Sequence, residues 1–109
     1  MKIATIIVNW NKKNDVLDLI NDLSGIAEPS FDIFVVDNAS TDGSPEAIRN
    51  RFPHVHLIIN KENLGGTGGF NTGVDHILKL GGYDYIWLLD NDAKIKNDTL
   101  TELVRAIVS

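Results

Sequence analysis

The sequence from residue 31 to residue 46, FDIFVVDNASTDGSPE, contains a complete transition from a strand to a helix. Its first part, Phe31–Val36, is mostly apolar and rich in strand-forming residues. The end of the stretch has the pattern of a helix start, with Ser44 as the N-cap, then a first-turn proline and a first-turn acid. Asp37 lies between the two, at the carboxyl end of the strand. This stretch therefore predicts one β-α unit with a polar turn at the edge of a sheet.

Three more units of the same kind are predicted along the chain. Their strands are Ile3–Val8, His56–Asn60 and Tyr85–Leu89. Apolar residues at helical spacing follow each of the four strands. These residues are Val16, Leu17, Leu19, Ile20 and Leu23; Ala47, Ile48 and Phe52; Phe70, Val74, Ile77 and Leu78; and Leu100, Leu103, Val104 and Ile107, with Asn97 or Asp98 as a cap. The alternation predicts a single α/β domain with a Rossmann-like parallel sheet of about four β-α units.

The composition excludes several classes of protein. The chain has 109 residues, no cysteine and a net charge of −5, with 43% hydrophobic and 23% charged residues. The absence of cysteine excludes disulfides, thiolate metal sites and thiol catalysis. The ten Lys and Arg residues are scattered, which argues against nucleic acid or an anionic membrane as the main partner. An anionic small molecule remains compatible if a divalent cation offsets its charge.

Asp90 and Asp92 are the first candidate site residues, because they follow the apolar run Tyr85–Leu89. Ligands of open α/β sheets bind at the carboxyl ends of the strands. Side chains two residues apart on an extended segment face the same way, so both carboxylates could reach one cation or one polar ligand. A solvated turn after a strand is the alternative interpretation of these two residues.

A glycine-rich segment from Asn63 to Gly73 holds five of the nine glycines, including Gly65 and Gly66. We predict a loop here that leads into the helix containing Phe70, and a helix start is a natural anion site. Neither the dinucleotide fingerprint nor the P-loop pattern is present. Packing against the sheet would explain about two of the glycines, and the remaining ones suggest a surface that a ligand approaches.

Asn9, Trp10 and Asn11 end the first strand and are expected at the same edge of the sheet. An aromatic residue such as Trp10 could equally cover the sheet edge. The histidines share no metal-ligand spacing, and we interpret all three as structural or solvated. These residues are His54, His56 and His76.

These motifs together resemble those of family 2 glycosyltransferases, in the same order and spacing over essentially the whole chain. They are Val8–Asn11, Val35–Gly43, Asn63–Gly66 and Leu88–Asp92. The resemblance implies the GT-A fold, in which a nucleotide-sugar-binding half is joined to an acceptor-binding half. The glycine run followed by Phe70 is most similar to bacterial rhamnosyl- and galactofuranosyltransferases, enzymes of polysaccharide biosynthesis.

The resemblance also implies roles for the candidate residues. Asp92 would hold Mg²⁺ or Mn²⁺, and Asp90 would contact the ribose or a metal-bound water. Asp37 would accept the N3–H of uracil or thymine, which implies a UDP- or dTDP-sugar donor. The base pocket and the nucleoside surface would be lined by Asn9, Trp10, Asn11, Asn63, Gly65 and Gly66. Asn91 departs from the common all-acidic triplet, at a position that usually faces away from the metal.

The resemblance further implies an inverting, metal-assisted transfer to a hydroxyl of a saccharide or lipid-linked acceptor. The general base is expected beyond Ser109, so we interpret residues 1–109 as the donor-binding portion alone. The full-length enzyme would be cytoplasmic or peripheral at the inner face of the cell membrane. An uncovered sheet edge and apolar helix surface would favour a homodimer.

Two other functions are compatible with the sequence. One is a stand-alone, non-catalytic nucleotide-binding or regulatory module, which the extent of the reading frame would distinguish from an enzyme. The other is a nucleotide-cofactor oxidoreductase, which is disfavoured because no glycine fingerprint follows the first strand.

Overall fold

The computed structural model describes residues 2–27 and 30–91, and these form four strands that alternate with three helices. The strands are β1 (Ile3–Asn9), β2 (Asp32–Asp37), β3 (His56–Ile59) and β4 (Tyr85–Asp90). The helices are α1 (Lys13–Ser24), α2 (Ser44–Arg51) and α3 (Gly65–Leu80). The fourth predicted helix lies outside the described residues.

The strands form one parallel sheet in the order β3-β2-β1-β4. In its register, Asn9 of β1 aligns with Asp37 of β2, and Val8 aligns with Asp90 of β4. Because all the strands run the same way, their carboxyl ends meet at one edge of the sheet. The prediction of an α/β fold with a Rossmann-like parallel sheet is confirmed.

Helices cover both faces of the sheet, which explains why the central strands are apolar on both sides. On one face, α1 and α2 pack against side chains that include Ile7, Val35 and Leu89. On the other face, α3 packs against a second cluster that includes Ile6 and Val36. Successive strand residues point to opposite faces, so the register also decides which face each site residue occupies.

The prediction of a glycine-rich loop before the third helix is wrong in one respect, because α3 already begins at Gly65. Glycine is a poor helix former, and for that reason the sequence pattern favoured a loop. The apolar stripe of this helix is confirmed for Phe70, Val74 and Ile77, which pack on the sheet, whereas Leu78 is 68% exposed. Gly69 and Gly73, which were not part of the predicted stripe, are also buried.

The histidines have local contacts within the fold. The Nε2 of His54 lies 3.3 Å from the hydroxyl of Ser24. Phe34 stacks on His56 with ring centroids 4.4 Å apart and meets His76 edge-on at 6.0 Å. Within residues 2–27 and 30–91, no helix has both the length and the apolar character needed to cross a membrane.

Candidate functional site

The candidate site lies at the carboxyl edge of the sheet, where β1, β2 and β4 end in polar residues. Asn9 and Asp37 are paired in register and both are fully buried. Asp90 ends β4 and is exposed. The structure therefore brings the predicted residues of three separate strands to one edge, as the sequence indicated.

Asp37 is buried at this edge and accepts hydrogen bonds from three protein donors. Its Oδ1 accepts from the Nδ2 of Asn9 at 3.0 Å and from the hydroxyl of Ser40 at 2.8 Å. Its Oδ2 accepts from the backbone N–H of Ser40 at 2.8 Å. In this arrangement the carboxylate holds the end of β1 and the loop after β2 together. These bonds leave one acceptor position on Oδ2, but the side chain is fully buried, so a nucleobase could reach it only after neighbouring groups move.

Asn11 extends this network to the loop after β1. Its backbone N–H donates to the Ser40 hydroxyl at 2.9 Å, and its Oδ1 accepts from the N–H of Thr41 at 2.7 Å. Asn11 has a φ of 51°, in the left-handed region that asparagine tolerates better than most residues. Between the two asparagines, Trp10 is 51% exposed. The loop after β1 is thus held by its bonds to Ser40 and Thr41, while the indole of Trp10 remains accessible to a ligand.

Asp90 and Asn91, at the end of β4, point to different faces of the sheet. Leu89 packs on the α1 side and Ile86 on the α3 side, so alternation places Asp90 on the α3 side. Asn91 instead donates from its Nδ2 to the Oδ1 of Asn9 at 3.2 Å. Asp92 lies outside the described residues. Asn91 therefore contacts the buried hydrogen-bond network of β1 and β2.

A second group of amides, to which no role was predicted from the sequence, fixes the start of α3. Asn38 is 1% exposed and donates to the carbonyl of Gly65 at 3.0 Å. Its Oδ1 accepts from the Nδ2 of Asn60 at 2.9 Å, and Asn60 also lies 3.3 Å from the Thr72 hydroxyl. The signal available in the sequence was that both asparagines directly follow strands. Their partners depend on the position of α3.

Four of the five glycines of α3 divide into two groups, and a Cβ on the fifth, Gly68, would lie 2.6 Å from the Cβ of Leu64. A Cβ on Gly69 would lie 2.5 Å from a methyl group of Val8, and a Cβ on Gly73 would lie 2.8 Å from a methyl group of Ile6. These two are required for close packing on β1. A Cβ on Gly65 or Gly66 would meet nothing within 4 Å. Gly65 has a φ of 74°, which favours glycine, so Gly66 is the one of this pair that neither packing nor backbone geometry explains.

The first turn of α3 has the character of an anion site. Asn63 accepts the N–H of Gly65 at 2.9 Å, and Leu64 at the N-cap provides no side-chain hydrogen bond. The first N–H groups of a helix have no partner inside the helix and carry the positive end of its dipole. Because Gly65 and Gly66 lack side chains, a phosphate could approach these N–H groups closely.

Asp42 caps the start of two helices at once. Its Oδ2 accepts from the N–H of Lys13, the first residue of α1, at 2.9 Å. Its Oδ1 accepts from the N–H of Ser44, the first residue of α2, at 3.0 Å, and also from the Ser44 hydroxyl. The prediction of Ser44 as the N-cap is therefore wrong. Gly43 occupies that position with a φ of 83°, and the capping oxygen comes from Asp42.

The double cap affects the pKa of Asp42. Burial acts to raise this pKa, but hydrogen bonds from the Ser44 side chain and from the N–H groups of Ser44 and Lys13 outweigh it. The net result is a pKa below the ordinary value of 3.8. A carboxyl group with a lowered pKa in the folded state stabilises the fold above its unfolded-state pKa, and this contribution is lost as the pH falls through the folded-state pKa.

We therefore expect Asp42→Ala to lower the free energy of unfolding at pH 7 by about 1–2 kcal/mol, the range for the loss of a helix cap. The loss should shrink below pH 4, because the parent's carboxylate then becomes protonated. Urea unfolding between pH 2 and pH 7 measures both effects. Glu46→Ala is the control, since Glu46 is also in the first turn of α2 but is exposed. A difference between Asp42→Ala and the parent that is the same at every pH would contradict the prediction.

The described residues supply one of the two predicted metal ligands. Among them, no group of three or more His, Asp or Glu side chains is placed to hold a metal ion. Asp90 presents an exposed carboxylate, which is the hard oxygen ligand that Mg²⁺ and Mn²⁺ prefer. Mg²⁺ is usually bound by one or two carboxylates together with substrate phosphates, and not by a cage of protein ligands. Asp90 therefore fits a cation whose coordination a diphosphate completes.

Comparison with known proteins identifies the family. Residues 4–109 match the sequence profile of Glycosyl transferase family 2. The chain belongs to this family. Undecaprenyl-phosphate mannosyltransferase of Micrococcus luteus is 31% identical over 98% of this chain and 44% of its own length. Abequosyltransferase RfbV of Salmonella typhimurium is 33% identical over 94% of this chain and 32% of its own length.

Two solved structures share the fold of this chain. The mannosyltransferase PcManGT of Pyrobaculum calidifontis, in complex with GDP-Man and Mn²⁺, has a TM-score of 0.82 at 24% identity, over 98% of this chain and 32% of that one. Residues 1–349 of S. aureus TarS, in complex with UDP-GlcNAc, give a TM-score of 0.78 at 26% identity, over 99% of this chain and 31% of that one. This family 2 chain thus has the fold of the amino-terminal part of a GT-A glycosyltransferase, as predicted.

A galactofuranosyltransferase is also among the relatives. GlfT1 of Mycolicibacterium smegmatis is 35% identical over 62% of this chain and 22% of its own length. The chain spans less than half the length of each of these curated relatives.

Proposed function

We propose that residues 1–109 form the donor-binding portion of a glycosyltransferase that transfers a sugar from a UDP- or dTDP-sugar to an acceptor hydroxyl. The observation that carries this proposal is the convergence of Asn9, Asp37 and Asp90 at one sheet edge in a family 2 chain. The glycine-rich start of α3 is tied to the same edge through the bond from Asn38 to Gly65. A nucleotide bound there would contact strand ends on one side and helix N–H groups on the other.

The leaving group of the reaction explains why the site combines a carboxylate with a helix start. Release of a nucleoside diphosphate builds negative charge on its phosphates. A divalent cation held by Asp90 and Asp92 would neutralise part of this charge as a Lewis acid. The N–H groups in the first turn of α3 would stabilise the remainder. The complex of PcManGT with GDP-Man and Mn²⁺ supports this arrangement by similarity of fold.

The nucleoside would bind near the end of β1. The indole of Trp10 is half-exposed and can stack on a base, and Asn11 and Asn63 lie in the loops after β1 and β3. Base selection by Asp37 stays a prediction. Its carboxylate is bonded to Asn9 and Ser40 and fully buried, so selection of uracil would require the groups around it to move and expose the second acceptor position of Oδ2.

The remaining steps of the reaction belong to the full-length protein. We assign the general base and the acceptor surface to the part of the relatives that these 109 residues do not match. An inverting mechanism, a saccharide or lipid-linked acceptor, a cytoplasmic or membrane-peripheral location and a homodimer are further elements of the proposal. The name of the Micrococcus luteus relative contains a lipid phosphate, which supports a lipid as the carrier of the acceptor but offers a phosphate oxygen and not a hydroxyl.

We expect the chain to bind UDP or dTDP, and to bind either more tightly with Mn²⁺ or Mg²⁺ than with EDTA. The physical reason is that Asp90 and Asp92 repel the diphosphate until a cation lies between them. Isothermal titration calorimetry with UDP, dTDP, CDP and GDP, each with Mn²⁺ and with EDTA, measures the effect. UMP is the matched control, because it has the same base but lacks the second phosphate.

Equal affinity for UDP in Mn²⁺ and in EDTA would contradict the role of the cation. Equal affinity for CDP and UDP would contradict base selection by Asp37. Binding of none of the four nucleotides would contradict the proposed function as a whole.

A further inference from the structure

The side-chain amide of Asn9 is bonded at both of its ends. Its Nδ2 donates to Asp37 at 3.0 Å, and its Oδ1 accepts from Asn91 at 3.2 Å. Asn9 is fully buried, so neither end can exchange its partner for bulk water. The two bonds join side chains from the ends of β2, β1 and β4, of which β2 and β4 are not neighbours in the sheet.

The chemistry of the partners fixes the direction of both bonds. An ionised carboxylate only accepts hydrogen bonds, so Asn9 must present its NH₂ group to Asp37. Its carbonyl oxygen then faces Asn91, and residue 91 must be a donor. An aspartate at that position would place a carboxylate against the Asn9 carbonyl, with an acceptor on each side and no proton between them.

We propose that Asn9 and Asn91 are positioning residues, and that the carboxylate at residue 37 requires an amide at residue 91. They hold the turn that carries Asp90 in register with the loop after β2, across the span that a nucleoside diphosphate would occupy. This inference rests on the proposed function for its ligand. It also explains why this chain has Asn91 where a third acid would complete an all-acidic triplet.

The test exchanges the charges of residues 37 and 91. In the double variant Asp37→Asn/Asn91→Asp, the new amide at 37 can donate to the Oδ1 of a reversed Asn9. The reversed Asn9 can then donate to the carboxylate at 91. The second oxygen position of residue 37 still accepts from the N–H of Ser40, which donates there at 2.8 Å in the parent. Both bonds of the relay, which runs from residue 37 through Asn9 to residue 91, are restored in the opposite direction at unchanged net charge. The Ser40 hydroxyl, which donates to Oδ1 of Asp37 in the parent, must turn to accept from the new amide.

The single variants should behave unequally. Asn91→Asp alone leaves Asn9 facing an acceptor on both sides. Asp37→Asn alone keeps both bonds when Asn9 and Asn91 turn their amides, but the bonds to residue 37 are then no longer strengthened by its charge. We expect Asn91→Asp to lower the folding equilibrium constant about tenfold in the parent and less than about threefold in the Asp37→Asn background, a coupling in the range seen within one hydrogen-bond network.

Two controls separate this relay from general repulsion between charges. Asp42→Asn removes a negative charge from the loop after β2, but residue 42 is not bonded to Asn9. The effects of Asp42→Asn and Asn91→Asp on stability should therefore be additive. In an Asn9→Ala background the relay is absent, and the coupling between residues 37 and 91 should disappear. A coupling that persists without the Asn9 amide would be Coulombic and would overturn the proposal.

Two further measurements report the orientation of the Asn9 amide and the affinity for UDP. In the parent the Nδ2 of Asn9 lies 3.4 Å from the Ser40 hydroxyl, so nuclear Overhauser effects should connect its protons to Ser40. In the double variant these effects should shift to residue 91. The affinity for UDP with Mn²⁺ should fall at least fivefold in the neutral variant Asn91→Leu, which loses the donor without adding charge.

The stability cycle needs no ligand, so it decides the relay even if no nucleotide binds and the proposed function fails. If the effects of Asn91→Asp and Asp37→Asn on stability are additive, the proposal that the carboxylate at residue 37 requires an amide at residue 91 is overturned. Nucleotide binding by the parent with unchanged affinity in Asn91→Leu would overturn the positioning role.

Discussion

Gly69→Ala is expected to destabilise the fold by about 2 kcal/mol, as one of the smallest possible changes that overpacks this core. The new Cβ would lie 2.5 Å and 3.0 Å from the two methyl groups of Val8, and 3.1 Å from the Nδ2 of Asn38. Valine is β-branched and has little freedom at χ1, so it cannot turn both methyl groups away. The helix or the strand must shift, which outweighs the roughly 1 kcal/mol by which alanine favours a helix over glycine.

The displacement should also reach the site, because Asn38 donates to the carbonyl of Gly65 at the start of α3. We therefore expect weaker nucleotide binding in the fraction of Gly69→Ala that remains folded. Urea unfolding measures the first effect, and calorimetry with UDP and Mn²⁺ below the unfolding transition measures the second.

Gly66→Ala is the matched control within the same helix. A Cβ there meets nothing within 4 Å, so this variant should be as stable as the parent or more stable. If Gly66 is kept small for a ligand, the variant should nevertheless bind UDP more weakly. Equal stabilities of Gly66→Ala and Gly69→Ala would contradict the packing argument, and unchanged UDP binding in Gly66→Ala would remove that residue from the ligand surface.

The contrast between these two glycines shows what the sequence could predict. Periodicity predicted the four strands and three of the helices, because a strand between two helical layers must be apolar on both faces. It misplaced the start of α3, since the propensity of glycine argues against a helix. The position of that helix is set by the close approach of Gly69 to Val8 and of Gly73 to Ile6, and these β1 residues lie more than 60 positions earlier in the chain. No local pattern contains such a contact.

The candidate site was predictable to a similar degree. The location of Asn9, Asp37 and Asp90 at one edge followed from the rule that parallel strands end together. Which polar atoms are already engaged did not follow, because it depends on the register of β1 against β2 and β4. The same limit applies to Asn38 and Asn60, which were visible as strand-end residues but not as supports of α3.

Asp37→Ala is expected to lower the free energy of unfolding by about 3 kcal/mol, because it leaves one buried and two half-buried donors without their acceptor. These donors are the Nδ2 of Asn9 and both the hydroxyl and the N–H of Ser40. Relief from burying a charge offsets part of the loss. With a total stability of roughly 5–15 kcal/mol for a domain, such a loss would be a large fraction of the whole. Urea unfolding of Asp37→Ala beside the parent measures it.

The milder variant Asp37→Asn tests what the carboxylate does for a ligand. If Asp37 acts by holding the loops after β1 and β2, this variant should weaken binding of UDP, dTDP and CDP by a similar factor. If it accepts the N3–H of uracil, the variant should lose affinity for UDP and dTDP while CDP is unaffected, because cytosine has no hydrogen at N3. The three bonds from Asn9 and Ser40 favour the first result. A selective loss of UDP binding, with stability unchanged in Asp37→Ala, would contradict the structural role and place the carboxylate in direct contact with the base.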